Sequence, residues 1–151
     1  MHYTYENVTQ QYSGVGGGTN ASAISADFNA GKSICNYCNH GSQTSWAVAN
    51  YSNSHVNALV NDYKWPYIWS VACNNGEFNG NCFGEAWLRA TNNTTGAPTG
   101  AVGGMFSWIS QPWVPPMTGQ DEMVDILTEW KHTDQFRHTF GGASLNGSMY
   151  M

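Results

Sequence analysis

Apolar residues recur along this chain in short runs that switch between two periods, which predicts strands alternating with helices. Residues 8–22 are rich in Gly and Ser and read as a loop or frayed terminus. Residues 22–29 carry Ala23, Ile24 and Phe28 at helical spacing, and Gly31 follows as a stop signal. Residues 34–37 read as a strand. A helix is expected from His55 through Val56, Leu59 and Val60, before Trp65-Pro66 breaks the chain and residues 67–72 form a second strand. Residues 82–90 place Phe83, Ala86, Trp87 and Ala90 on one helical stripe. Residues 92–98 read as a turn, 99–106 as a glycine-rich third strand and 113–116 as loop. Residues 121–130 complete the pattern as a helix with acids in its first turn, where the helix dipole favours them. The alternation predicts an α/β fold with a mostly parallel sheet.

Sites in such sheets form where several strands end at their carboxyl edge. Two blocks sit at such ends: Asn39-His40-Gly41-Ser42-Gln43-Thr44 after the first strand, and Cys73-Asn74-Asn75-Gly76 after the second. Histidine titrates near neutrality and a cysteine nucleophile needs a base, so His40 and Cys73 are a candidate thiolate–imidazolium pair. The plainer alternative is a small buried thiol and a satisfied polar histidine. His55, His132 and His138 lack comparable context and read as surface or helix residues.

Composition narrows the partners. The 151 residues suit one domain, and only 10% of them are charged. A neutral surface rich in amides and hydroxyls is commoner in secreted and cell-surface bacterial proteins than in cytosolic enzymes. A net charge of −5 with five Lys plus Arg leaves no basic patch for nucleic acid. No apolar run approaches the ~20 residues that span a bilayer. The first residues lack the basic and apolar regions of a signal peptide, so any targeting segment is expected outside these residues.

The four cysteines, Cys35, Cys38, Cys73 and Cys82, permit two disulfides in three connectivities. Cys35 and Cys38 have half-zinc-site spacing with His40 nearby, but a strand puts them on opposite faces and no second block completes a tetrahedron. Cys35 and Cys82 read best as buried structural thiols. Seven Trp residues could mark a sugar-binding surface, although Trp69 and Trp87 fall at core-facing positions.

Taken in order, many of these blocks resemble one family. Asn36-Tyr37, His40-Gly41-Ser42, Thr44, Trp46, Val71-Ala72-Cys73, Asn75-Gly76, Phe78, Cys82-Phe83 and Glu85-Ala86 belong to the pattern. So do Pro98-Thr99-Gly100, Trp113, Pro116-Met117, Gly119-Gln120-Asp121-Glu122-Met123 and Thr139-Phe140-Gly141-Gly142. From about Asp27 onward the chain resembles the catalytic core of the gingipains, secreted bacterial cysteine endopeptidases, with the lysine-specific branch the nearer.

The resemblance implies a caspase-like three-layer α/β sandwich, incomplete at its N-terminal side, with residues 1–22 a loop-rich lead and 23–151 the partial catalytic core. It makes Cys73 the nucleophile, His40 the general base and acid, and the backbone N–H groups of Gly41 and Cys73 the oxyanion hole. Trp113 would lie over the substrate's P1 side chain and Cys38 would line that pocket. A basic P1 residue needs a carboxylate, for which Asp121 or Glu122 is the candidate, against the simpler reading of both as N-terminal helix residues. Protein or peptide substrates, secretion or a cell-surface location, and structural calcium are also implied; no cofactor is needed for the chemistry. The family's acidic residue that orients the histidine lies over fifty residues upstream of it, more than the 39 that precede His40. A catalytically inactive fragment needing the missing N-terminal segment, or an extracellular carbohydrate- or protein-binding module, are the alternatives.

Overall fold

The computed structural model describes residues 5, 7–12, 19–129 and 139–151. These divide into two units, one within Thr9–Gln111 and the other within Met1–Val8 and Pro112–Met151. The first unit opens with helix α1 (Ala21–Ala30), whose N-cap Asn20 accepts from the Ala23 amide and whose C-cap Gly31 takes the left-handed conformation at φ 96°. Strand β1 (Ile34–Cys38) follows. The chain then forms a small antiparallel meander of two-residue strands, β2 (Gly41–Ser42), β3 (Ser45–Trp46) and β4 (Tyr51–Ser52). After the single turn of α2 (Asn53–Val56) come strand β5 (Tyr67–Val71), helix α3 (Phe83–Arg89) and strand β6 (Gly103–Phe106). The main sheet runs β1-β5-β6 and both pairings are parallel.

The core of this unit is aromatic. Trp46, Tyr51, Phe83 and Trp87 are buried together with Phe28, Ile68, Val56 and Leu59. The stripe expected on α3 is the face that enters this core, through Phe83, Trp87 and Ala90. Trp46 stands at the centre, stacked on Tyr37 at 4.4 Å and edge-on to Phe83 at 5.2 Å.

The second unit contains helices α4 (Val114–Thr128) and α5 (Phe140–Met149). They approach closely at two glycines: a Cβ on Gly147 would lie 2.6 Å from the Gly119 carbonyl oxygen. Thr139 caps α5 by accepting from the Gly142 amide at 3.0 Å.

Several expectations are corrected. Residues 113–116 are not a loop, because α4 begins at Val114 with proline in its first turn. Proline lacks an N–H, but first-turn amides have no intrahelical acceptor, so nothing is lost there. Asp121 and Glu122 consequently lie mid-helix, and the first turn of α4 holds no acid. The helix expected from His55 through Val60 stops at Val56. Its continuation is drawn to other partners: the Val60 amide donates to Asn29 Oδ1, and the Asn61 side chain grips Gly100 through both its amide and its carbonyl. The third strand starts at Gly103 rather than Thr99. Gly100 sits at φ 79°, and the Ala101 and Val102 amides donate to Trp87 and Pro66 rather than to a strand. The end of the 121–130 expectation, Trp130, and the histidines His132 and His138 lie outside the described residues.

Candidate active site

The register of the parallel sheet builds the site. Cys38 pairs with Val71, so β1 and β5 end flush. His40 and Cys73 each follow two residues beyond that last pair, on the same carboxyl edge. Several backbone bonds fix the histidine loop there. The Asn39 amide donates to the Val71 carbonyl at 3.2 Å, and the His40 carbonyl accepts from the Ala47 amide at 3.0 Å and the Tyr37 hydroxyl at 2.9 Å. Burial raises the Tyr37 hydroxyl well above its ordinary range, which keeps that donor protonated. The His40 residue itself is exposed.

The cysteine lies in a tight turn that follows β5, with Asn74 in the left-handed region at φ 60°. Residues 107–111, which leave β6, run alongside and hold it. The Asn74 amide donates to the Ile109 carbonyl at 3.1 Å, and the Gly76 amide to the Ser107 carbonyl at 2.8 Å. The Cys73 thiol lies 3.8 Å from the Gln111 carbonyl. Gly41 packs directly on this turn. A Cβ there would stand 2.7 Å from Ala72 Cβ and 2.8 Å from the Cys73 carbonyl oxygen.

A buried polar relay, not foreseen from the sequence, lies beneath both loops. Trp46 Nε1 donates to Ser70 Oγ at 2.8 Å, and Ser70 Oγ donates to Asn75 Oδ1 at 2.8 Å. Asn75 Nδ2 in turn donates to the carbonyls of Ser42 at 2.6 Å and Ser45 at 3.0 Å. Its one legible signal was an amide, Asn75, inside the turn that follows the second strand.

The structure thus brings Cys38, His40, Gly41 and Cys73 to one sheet edge. Trp113 and Asp121 belong to the helical unit; Trp113 immediately precedes α4 and Asp121 is exposed on it. All four cysteines are free thiols. Cys82 is buried and its sulfur accepts from the Glu85 amide at the start of α3. His55 is the N3 residue of α2, its ring accepting from the Ser52 amide, a capping role.

Burial, seconded by the charge of Asp27, pushes the Cys35 thiol from 9.0 up to about 12. Tyr51 rises from 10.0 to about 12, also through burial. Both groups keep their protons longer folded than unfolded, so the stability they confer is complete below pH 9.0 and is lost as pH rises toward about 12. Urea midpoints are therefore expected to fall across that window, with a shallower fall in Cys35→Ala. Identical slopes would contradict the assignment.

A sequence model of peptidase family C25 matches residues 1–151. The chain belongs to this family. It is 46% identical over 126 residues to gingipain R2 of Porphyromonas gingivalis, covering 82% of this chain and 17% of that protein. It is 45% identical to gingipain R1 of the same species, covering 82% of this chain and 12% of that one. A crystal structure of the Arg-specific cysteine proteinase gingipain R superimposes with a TM-score of 0.79 at 45% identity, over 86% of this chain and 30% of that one. The match therefore spans less than a third of the length of each of these relatives. The family's caspase-like α/β fold, with its largely parallel sheet, is the architecture described above. These relatives establish the family and do not separate its lysine-specific from its arginine-specific branch.

Proposed function

We propose that this chain carries the reacting pair of a cysteine endopeptidase. The observation that supports it is the flush end of β1 and β5, which sets His40 and Cys73 at equivalent positions past one register pair, with Gly41 packed on the Cys73 backbone. In this reading the Cys73 sulfur attacks the carbonyl carbon of the scissile bond while His40 takes the thiol proton. The oxyanion is received by the Gly41 and Cys73 N–H groups, donors of the kind that contribute roughly 3–4 kcal/mol to such transition states. His40 then gives its proton to the departing amine, leaving a thioester. Water, deprotonated by His40, hydrolyses that ester and restores the thiol.

By resemblance the substrate is a protein cleaved after a basic residue, and the resemblance assigns parts in recognising it to Cys38, Trp113 and Asp121. A low-charge, amide-rich composition and the family assignment support a secreted or surface-bound setting. The structural calcium implied by the family plays no part in these steps; among the described residues no three His, Cys, Asp or Glu side chains converge to hold it.

The test is site-resolved alkylation of Cys73 by iodoacetamide, with fluorogenic lysyl and arginyl peptides assayed alongside. His40→Ala should slow labelling at least ~10-fold near neutral pH, since a positioned base contributes on the order of 100-fold or more. Labelling indifferent to His40 would sink the dyad in this chain.

A further inference from the structure

We propose that Asn75 is a positioning residue: its amide ties the hairpin that follows His40 to the turn that presents Cys73. The functional consequence rests on the dyad reading above. A primary amide offers two N–H groups and one acceptor oxygen, and a buried one needs all of them met. Asn75 is fully buried, and its nitrogen reaches the two carbonyls, Ser42 and Ser45, that bracket the tip of the β2–β3 hairpin. Its oxygen takes the Ser70 hydroxyl, whose own acceptor site is filled by Trp46.

Each half has other anchors. The hairpin tip is held by the Phe83 amide on the Gln43 carbonyl, and by Gln43 Nε2 on the carbonyls of Glu77 and Asn79 beyond the turn. The cysteine turn is held by residues 107 and 109. Asn75 belongs to the cysteine turn itself, so it is placed to set one half against the other. Its loss should leave both elements folded and change their relative placement. Asn75→Asp is the sharper change, because it keeps shape and the Ser70 bond while turning two donors into an oxygen that faces two carbonyl oxygens.

The experiment uses the whole chain, labelled with iodoacetamide and read cysteine by cysteine. The buried Cys82 serves as an internal report of folding. In Asn75→Ala and Asn75→Asp, Cys82 should stay protected while adding His40→Ala no longer slows Cys73, the ratio falling from ~10 or more toward 1. A retained ratio with Cys82 protected overturns the proposal. Should the alanine variant expose Cys82, Asn75→Asp decides by the same ratio. Wild-type labelling indifferent to His40 would defeat the dyad reading rather than the tie. Hydrogen exchange at residues 42–46 then decides, faster exchange in Asn75→Asp supporting the tie and unchanged exchange overturning it.

Discussion

Trp46→Ala is expected to cost the fold about 3–5 kcal/mol, a large part of the roughly 5–15 kcal/mol that holds a domain of this size together. Its indole is 1% exposed and meets Tyr37, Phe83, Tyr51 and Trp87, so truncation opens a cavity that rings on four sides cannot all close. Trp46→Phe separates packing from polarity. It retains most of the ring contact but takes the N–H from Ser70, for which about 1–3 kcal/mol is the expected cost of a buried partner left unmet. Urea unfolding of the three proteins measures both terms. A loss below about 1 kcal/mol in Trp46→Ala would mean that the aromatic cluster is not the centre of the core.

Where the signals were local, the sequence displayed the fold. The period of Ala23, Ile24 and Phe28 with Gly31 behind it marks α1 to within a residue at each end. The apolar runs at 34–37 and 67–72 are strands because β-branched and aromatic side chains suit a pleated surface. What stayed hidden is held by partners distant in sequence. Strands of two residues, such as Gly41–Ser42, are too short for alternation to register. Helix α5 is concealed by three glycines, and forms because Thr139 caps it and Gly147 lets it lie close to α4.

The site divides the same way. His40 and Cys73 were legible because each follows a recognisable strand, and parallel strands present their ends together. The relay through Trp46, Ser70 and Asn75 was not, since its endpoints are backbone carbonyls some thirty residues away that leave no mark on composition. Trp113 and Asp121 came from the resemblance alone. The prolines beside Trp113 concealed the start of α4 for the reason that makes proline tolerable in a first turn.

Gly41→Ala should lower the His40-dependent labelling of Cys73, and any peptide cleavage, on the order of 100-fold, the scale on which an ångström of misplacement acts. The added methyl would meet Ala72 Cβ at 2.7 Å, the Cys73 carbonyl oxygen at 2.8 Å and Asn75 Nδ2 at 3.0 Å. Ala72 Cβ and the Cys73 carbonyl are fixed by backbone at the end of β5, and neither can swing aside as a long side chain would. The hairpin must therefore back away from the cysteine turn, carrying the Gly41 N–H with it and lengthening the Asn75 bonds to Ser42 and Ser45. Overpacking of this kind costs about 1–3 kcal/mol, which is expected to leave Cys82 protected while Cys73 loses its response to His40. A Gly41→Ala chain that labels at the wild-type rate would show that the contact between hairpin and turn yields freely. The proposed oxyanion donors at Gly41 and Cys73 would then lack the rigid spacing that their role demands.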